Sequence, residues 1–425
     1  MRKIIEEITM NNTKQILDSK EIELSNGLKL ITVKKSTRIA SVHMGFKIGA
    51  MDEKKNERGI CHFIEHMLFK GTLNRNNYDI NQALEERGGY YNAYTDYSST
   101  VYSITALAEE LEASVDILSD IAMNSIFPEQ EIIKEKKVIL AEISAHMDDV
   151  EEYSFRKTNE AAYEKGPLKF EIIGSEKSIN LFTKTQLEFF YDKNYVPNNC
   201  IISIVSPYDH KLMEAMISKY YALWEKGQKH HRKVKKEKNR SIEKQSFKKN
   251  IEQNTIIFLY NFFNLSRKEE IALEILNHKL GVSSNSILFR RLREEKGVSY
   301  DVYSEIDTND WLKTLYIYTA VSPGDTLEAK NIIVDCITDI IEKKTVITTK
   351  DIELMKKVIR TGVASMLEDS GGLCSYILHQ KLQDLKIDGF IEDMLMLESI
   401  SQEDIYKVGV KIFDDPTIHI LVDKN

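Results

Sequence analysis

Residues 59–72 read GICHFIEHMLFKGT, and the pattern His62-x-x-Glu65-His66 within them decides how the rest of the chain is interpreted. The apolar spacing predicts a helix from Ile60 to Phe69. Side chains four residues apart on a helix differ in direction by about 40°, so the two imidazoles face the same way and can bind one tetrahedral Zn²⁺. The alternative is a pair of core histidines with protein partners that happen to flank a glutamate.

Glu65 lies three residues after His62, on the same face of the predicted helix but beside the expected metal position. From there its carboxylate can take a proton from metal-bound water, which the ion makes acidic near neutral pH. The order His-x-x-Glu-His is that of the inverzincin class of zinc peptidases. The segment therefore predicts a hydrolytic zinc site in which Glu65 is the general base.

Two histidines leave a third protein ligand to be found, and the best candidate is Glu142, 76 residues past His66. It stands inside the apolar stretch 138–143, VILAEI, where a buried carboxylate needs a partner such as zinc. Glu135 lies seven residues earlier on the same face and could reach a ligand or the bound water, although it fits an exposed helix charge equally well. His146 is the weaker ligand candidate, because two histidines already stand on the other helix.

The composition is that of a globular chain rather than a fibrous or disordered one. Its 425 residues are 42% hydrophobic and 29% charged, with 18 glycines and 6 prolines. The formal charge of −8 argues against a general nucleic-acid binder, and no apolar run is long enough to span a membrane. The polar residues 1–19 predict no signal peptide, and four widely spaced cysteines predict no disulfides. Together these features favour a cytoplasmic location.

Alternating apolar runs and helical periodicities follow each other twice along the chain, which predicts an α+β protein with two similar domains. The first domain opens with a hairpin over residues 21–34, whose turn signal is Asn26-Gly27. Each domain is expected to pack a mostly antiparallel sheet against helices. The predicted divisions are an N-terminal extension (1–20), a metal-binding catalytic domain (21–225), a basic linker (226–250) and a second homologous domain (251–425).

The stretch 226–240 holds eight lysines and arginines, the pair His230-His231 and few apolar residues. It is interpreted as a solvated linker. A nucleic-acid patch would carry interleaved aromatic residues, which are missing here. No cysteine or carboxylate cluster lies nearby in sequence to complete a metal site around the two histidines.

The segment 59–72 resembles the pitrilysin/insulysin family of zinc peptidases, and is most similar to the mitochondrial processing peptidase β-subunit and short bacterial peptidases like it. The resemblance implies that Glu142 is the third ligand and that Glu135 assists catalysis. Residues 88–95, GGYYNAYT, are similar to the family's Gly-Gly-x-x-Asn-Ala-x-Thr. This match implies an exposed edge strand on which Asn92 and Ala93 bind the backbone of the substrate peptide.

Residues 288–300, LFRRLREEKGVSY, resemble the second-domain signature of the same family. The resemblance implies that Arg293 holds a substrate carbonyl and that Tyr300 donates a hydrogen bond to the oxyanion. Without it, the two residues fit an exposed helix arginine and a strand tyrosine. The preceding loop, LGVSSNS over residues 280–286, is less rich in glycine than the family pattern.

The family resemblance implies a zinc-dependent metalloendopeptidase with one Zn²⁺ per chain, whose two domains form half of a clamshell chamber. The expected substrates are peptides or unfolded segments, including a leader or precursor peptide. The expected partner is a second chain, in a homodimer or in a heterodimer with a related chain. The alternative is a catalytically silent interaction subunit of a heterodimeric peptidase. A third interpretation, processing of one ribosomal peptide precursor, differs only in substrate.

Overall fold

The computed structural model describes residues 16–228, 232, 236–308 and 312–424, which form two compact units. The first unit holds residues 16–144, 171–228, 232 and 362–389, and the second holds 145–170, 236–308, 312–361 and 390–424. Every helix in these ranges is too short or too polar to cross a bilayer. All four cysteines are buried and free. His230 and His231 lie outside the described residues.

The strands form two sheets, one in each unit. In chain order they are β1 (Asp18–Glu23), β2 (Lys29–Lys34), β3 (Ile39–Phe46), β4 (Tyr90–Thr95), β5 (Thr100–Leu107), β6 (Cys200–Ser206), β7 (Ile242–Lys248), β8 (Asn254–Asn261), β9 (Ser299–Thr308), β10 (Lys313–Val321) and β11 (Thr417–Asp423). The first sheet has the order β1-β2-β6-β3-β5-β4 and the second β7-β11-β8-β10-β9.

The helices cover the sheets and vary in length from six to twenty residues. In chain order they are α1 (Ile60–Leu68), α2 (Asn77–Glu85), α3 (Leu111–Met123), α4 (Glu129–Asp148), α5 (Val150–Ala162), α6 (Glu176–Leu181), α7 (Lys184–Asn194), α8 (His210–Tyr221), α9 (Arg267–Asn277), α10 (Thr326–Ile341), α11 (Thr349–Glu368), α12 (Ser370–Leu382), α13 (Gly389–Glu398) and α14 (Gln402–Ile412). Wider π-helical turns lie at His278–Val282 and Phe289–Glu295, and short 3-10 helices at Ala50–Asp52, Ala108–Glu110, Pro167–Lys169, Pro197–Asn199 and Pro323–Asp325.

The two sheets repeat one topology. The order β2-β6-β3-β5-β4 of the first sheet matches β7-β11-β8-β10-β9 of the second, strand for strand along the chain. Each sheet has a single parallel pair, β2 with β6 and β7 with β11, and all other pairs are antiparallel. Strand β1 has no counterpart in the described part of the second sheet. The prediction of two similar α+β domains with mostly antiparallel sheets is confirmed.

The predicted hairpin at the start of the first sheet also forms, with residues 24–28 as its loop. Gly27 has a φ of +83°, in the left-handed region that glycine adopts without strain. Asn26 Nδ2 donates to the backbone oxygens of Tyr221 at 2.8 Å and Trp224 at 3.1 Å. The turn signal therefore also fastens the loop to the end of α8.

The predicted linker 226–250 is wrong at its C-terminal end, because residues 242–248 form strand β7. This strand lies at the edge of the second sheet, and β11 is its one partner among the strands that the structure describes. Five of its seven residues are exposed, so its sequence, IEKQSFK, lacks the apolar alternation of a half-buried strand. In a sequence, an edge strand of this kind has the polar composition of a linker and is easily assigned as one.

The predicted division into 21–225 and 251–425 is corrected at two helices. Helix α5 lies in the first range but belongs to the second unit, where it packs against β8 and β11. Helix α12 lies in the second range but belongs to the first unit, where it packs against β3 and β6. Amphipathic periodicity shows that a helix has an apolar face, but not which sheet will cover that face.

Candidate metal centre

Helix α1 carries both histidines and is buried along most of its length. The residue before it, Gly59, has a φ of +90°. A Cβ at that position would lie 2.8 Å from Gly174 Cα and from Ile173 O, so both the conformation and the space require glycine. The start of the helix is thereby set at Ile60.

Glu53 supplies the cap that Gly59 cannot provide. Its buried carboxylate accepts the backbone N–H groups of Gly59 and Cys61, each at 2.9 Å. Burial raises the pKa of Glu53 to about 8, although the two N–H donors and Arg58 favour the ionised form. A carboxyl group at this end satisfies helix N–H groups that have no partner within the helix. Glu53 therefore holds the first turn of α1 in place.

Replacing Glu53 by alanine is expected to lower the free energy of unfolding by about 1–3 kcal/mol, because two buried N–H groups lose their acceptor. Glu53→Gln keeps an acceptor oxygen and is expected to cost less. Because the folded pKa of Glu53 lies above its ordinary value, its contribution to stability is lost as the pH rises from 4.5 to about 8. Urea denaturation at both ends of this range should show less loss for Glu53→Gln than for wild type. An equal loss in both proteins would contradict the assignment.

Three ligand groups converge between α1 and α4. His62 Nε2 lies 3.7 Å from Glu142 Oε1, and His66 Nε2 lies 3.8 Å from Glu142 Oε2. The two imidazole rings are 4.6 Å apart, centre to centre. In the described ranges this is the group of three that could hold a metal ion, with its ligand atoms all within 4.8 Å of one another. His146, the weaker sequence candidate, does not belong to it.

The geometry of this group fits a zinc ion. Ligand atoms placed tetrahedrally around zinc at about 2.0–2.1 Å lie about 3.4 Å from one another. The gaps of 3.7 and 3.8 Å to Glu142 would close by about 0.3–0.4 Å, and no gap in the group exceeds 4.8 Å. Two imidazole nitrogens and one carboxylate also form the three-ligand set of catalytic zinc sites, which leave a fourth position open.

Glu65 stands beside these ligands and is held by strand β4. The Thr95 hydroxyl, at the end of β4, donates to Glu65 Oε2 at 2.6 Å. Burial raises the pKa of Glu65, and the Glu142 carboxylate adds to this, while Thr95 and His66 act in the opposite direction. The carboxylate is thus poised to accept a proton more readily than an exposed glutamate.

Glu135 reaches a ligand rather than solvent. Its Oε2 lies 3.1 Å from His66 Nδ1 and its Oε1 lies 2.7 Å from Lys70 Nζ. Burial alone raises the pKa of Glu135, but the bonds to His66 and Lys70 outweigh it and the pKa is lowered. Burial lowers the pKa of His66, but the bond to Glu135 and the nearby carboxylates outweigh it and the pKa is raised.

Comparison with known proteins places the chain in a family. Residues 29–176 match the insulinase family, peptidase family M16, and residues 181–359 match the domain described as "peptidase M16 inactive domain". An uncharacterized zinc protease of Rickettsia felis is 33% identical over 305 residues, which cover 70% of this chain and 73% of that protein. The chain belongs to peptidase family M16.

Two other similar proteins extend the comparison. The mitochondrial-processing peptidase subunit beta of Saccharomyces cerevisiae is 34% identical over 209 residues, covering 49% of this chain and 45% of that one. The crystal structure of a protease from Helicobacter pylori superposes with a TM-score of 0.88 at 20% identity, covering 96% of this chain and 100% of that one. This similarity supports the M16 fold.

The predicted substrate strand of this M16 chain lies at an edge. Strand β4 is the last strand of the first sheet and pairs only with β5 among the described strands. Asn92 is exposed and Ala93 is half-buried, and they lie opposite Ser103 and Tyr102. The outer edge of β4 therefore presents backbone groups to which an extended peptide can hydrogen-bond.

Arg293 and Tyr300 lie in the second unit of the M16 chain, Arg293 in the π-helical turn Phe289–Glu295 and Tyr300 at the start of the edge strand β9. Arg293 Nη1 donates to the Tyr300 backbone oxygen at 3.3 Å, and its guanidinium lies 4.7 Å from the Tyr300 ring centre and 4.8 Å from that of Phe289. Tyr300 is 75% exposed, so it is available to a ligand. The two predicted residues are brought together, as a stacked pair.

Three further residues of the site went unassigned in the sequence interpretation: Glu53, Lys70 and Thr95. Lys70 and Thr95 stand within segments 59–72 and 88–95, which resemble family motifs, so the motif matches could have pointed to both residues. Glu53 lies in the polar run DEKKNE over residues 52–57, which has no pattern that separates a buried cap from its exposed neighbours.

Proposed function

We propose that the chain is a zinc-dependent metalloendopeptidase, which hydrolyses internal bonds of peptides or unfolded segments. The observation that carries this proposal is the convergence of His62, His66 and Glu142, with the Glu65 carboxylate beside them. A pair of satisfied core histidines would not need a carboxylate facing both of their Nε2 atoms. The chain's membership of a zinc peptidase family supports the same conclusion.

His62, His66 and Glu142 are the residues that would hold the ion. When bound, zinc polarises the substrate carbonyl and makes a water molecule acidic enough to attack near neutral pH. Glu65 takes the proton of the attacking water and returns it to the leaving nitrogen. The Thr95 hydroxyl donates to Oε2 of this carboxylate and holds it in place for the proton transfer.

The edge of β4 binds the substrate. An extended peptide adds to the sheet beside Asn92 and Ala93, with hydrogen bonds to the backbone of the strand. The same strand ends at Thr95, which holds Glu65. A peptide bound along β4 therefore lies beside the strand whose last residue holds the general base. Recognition through the peptide backbone gives only modest side-chain selectivity.

Arg293 and Tyr300 are assigned to substrate binding by the family resemblance. Arg293 binds a substrate carbonyl oxygen. The Tyr300 hydroxyl donates a hydrogen bond to the oxyanion that forms when water attacks the scissile carbonyl. The exposure of Tyr300 and the stacking of Arg293 on its ring support this role, because the guanidinium orders an otherwise free side chain.

We further propose that the working enzyme pairs this chain with a second chain, identical or related, and that its substrates include leader or precursor peptides. The yeast relative supports both points, since its name describes a subunit of a processing peptidase. The net charge of −8 favours basic peptides.

The second candidate is a catalytically silent interaction subunit, which the description of residues 181–359 as an inactive domain keeps open. Incubation of the zinc-loaded chain with a panel of unstructured peptides, followed by product masses, separates the two. We expect fragments cut at internal bonds, which disappear after chelation. A folded, zinc-loaded chain that yields no fragments would favour the silent subunit.

A further inference from the structure

Lys70 lies just beyond α1, and its side chain points back into the metal centre. Its backbone N–H donates to Met67 O at 3.0 Å, which closes the C-terminal turn of the helix. The side chain is 24% exposed, and its Nζ lies 2.7 Å from Glu135 Oε1 on α4. Lys70, just after the helix that carries His62 and His66, thus contacts α4, the helix that carries Glu142.

Glu135 is the buried member of this pair, with a side chain only 5% exposed. Each of its oxygens has one partner, Lys70 Nζ for Oε1 and His66 Nδ1 for Oε2. A buried carboxylate that loses one of two partners is left with an uncompensated charge, which costs far more than the loss of an exposed ion pair. The orientation of Glu135 therefore depends on Lys70.

That orientation decides which nitrogen of His66 is available to a metal. An ionised carboxylate can only accept, so Nδ1 is the donor in its 3.1 Å contact with Glu135; in the neutral imidazole the ring hydrogen is then on Nδ1 and the lone pair on Nε2. Nε2 is the nitrogen that faces Glu142, at 3.8 Å. A Glu135 carboxylate that rotated away would leave the other tautomer equally accessible.

We propose that Lys70 is a positioning residue for metal binding: its ammonium fixes Glu135 in the orientation that directs the His66 Nε2 lone pair toward the metal position. The charges agree with this role. Glu65, Glu135 and Glu142 bring three negative charges to the site and Lys70 one positive charge, so a dication makes the group neutral. This inference rests on the zinc site of the proposed function, but not on peptidase activity.

Zinc affinity of the full-length chain, measured by competition with a chromophoric chelator, tests the inference. Lys70→Met keeps the length of the side chain and removes its charge, and we expect the dissociation constant for zinc to rise about 10–100-fold. Lys70→Arg restores charge and donors and should bind close to wild type. The matched control is Lys134→Met, which removes the exposed partner of Glu131 on α4 and should leave zinc affinity unchanged.

A double-mutant cycle with Glu135→Gln shows whether Lys70 acts through Glu135. Lys70→Met should then add little further loss, because the carboxylate that it orients is gone. The inference is overturned if Lys70→Met binds zinc as wild type does, if Lys134→Met weakens binding equally, or if the two losses multiply. Should Lys70→Met not fold, Lys70→Gln takes its place. A wild-type chain that binds no zinc refutes the proposed function as well, whereas tight zinc binding unaffected at Lys70 refutes only this inference.

Discussion

Glu65→Gln is expected to retain zinc and to lose peptide cleavage by about 10²–10⁴ in kcat, the usual contribution of a general base. The amide has nearly the shape of the carboxylate, and its oxygen can still accept the hydrogen bond from Thr95. It cannot accept a proton from the attacking water. The ligands His62, His66 and Glu142 are unchanged, so the ion should remain bound.

The measurement combines zinc content with initial rates on a quenched peptide. The matched control is Glu85→Gln, the same chemical change at an exposed position of α2, and we expect it to leave both quantities at the wild-type level. If Glu65→Gln cut the peptide as fast as Glu85→Gln does, Glu65 would not be the base. If it lost zinc, its effect would be on the site rather than on proton transfer.

Glu142→Gln is expected to weaken zinc binding at least about 100-fold, beyond the 10–100-fold typical of residues that only support a ligand. The variant replaces a charged oxygen, which faces both imidazoles at 3.7 and 3.8 Å, by a neutral amide. Carboxylate charge is a large part of the attraction for a dication, and a neutral amide oxygen replaces it poorly.

Chelator competition measures this affinity, with Glu129→Gln as the control. Glu129 stands exposed in the first turn of the same helix, and its change to glutamine should not affect zinc binding. Equal affinities of Glu142→Gln and Glu129→Gln would exclude Glu142 from the ligand set. The third ligand would then have to be sought elsewhere.

The helix of the metal centre and the strand beside it could be predicted from sequence because both carry short, periodic patterns. The spacing of His62 and His66 gave the common face of α1. The apolar stretch around Glu142 predicted a buried carboxylate on a second helix, but the Glu142 side chain is half-buried, with 32% exposed. The structure brings these three together, although they lie up to 80 residues apart. Local periodicity was sufficient for the two histidines, whereas the assignment of Glu142 also rested on the family resemblance.

Other features of the fold and of the site depend on contacts between distant residues, which no local sequence pattern encodes. Strand β7 was hidden because an edge strand exposed on both faces lacks apolar alternation. Helices α5 and α12 were assigned to the wrong halves, because periodicity does not identify the sheet that covers a helix. Glu53 and Lys70 act through partners that only the folded chain brings within reach, one at the start of α1 and one just beyond its end.

A zinc titration of the cleavage reaction shows whether His62, His66 and Glu142 of this chain hold a zinc ion that peptide hydrolysis needs. Metal-free protein is mixed with increasing zinc, and the cleavage rate and bound zinc are measured together. We expect no cleavage without metal and a rate that rises in proportion to bound zinc, reaching its plateau at about one ion per chain. Full cleavage by the metal-free chain, or a chain that binds no zinc, would contradict this expectation.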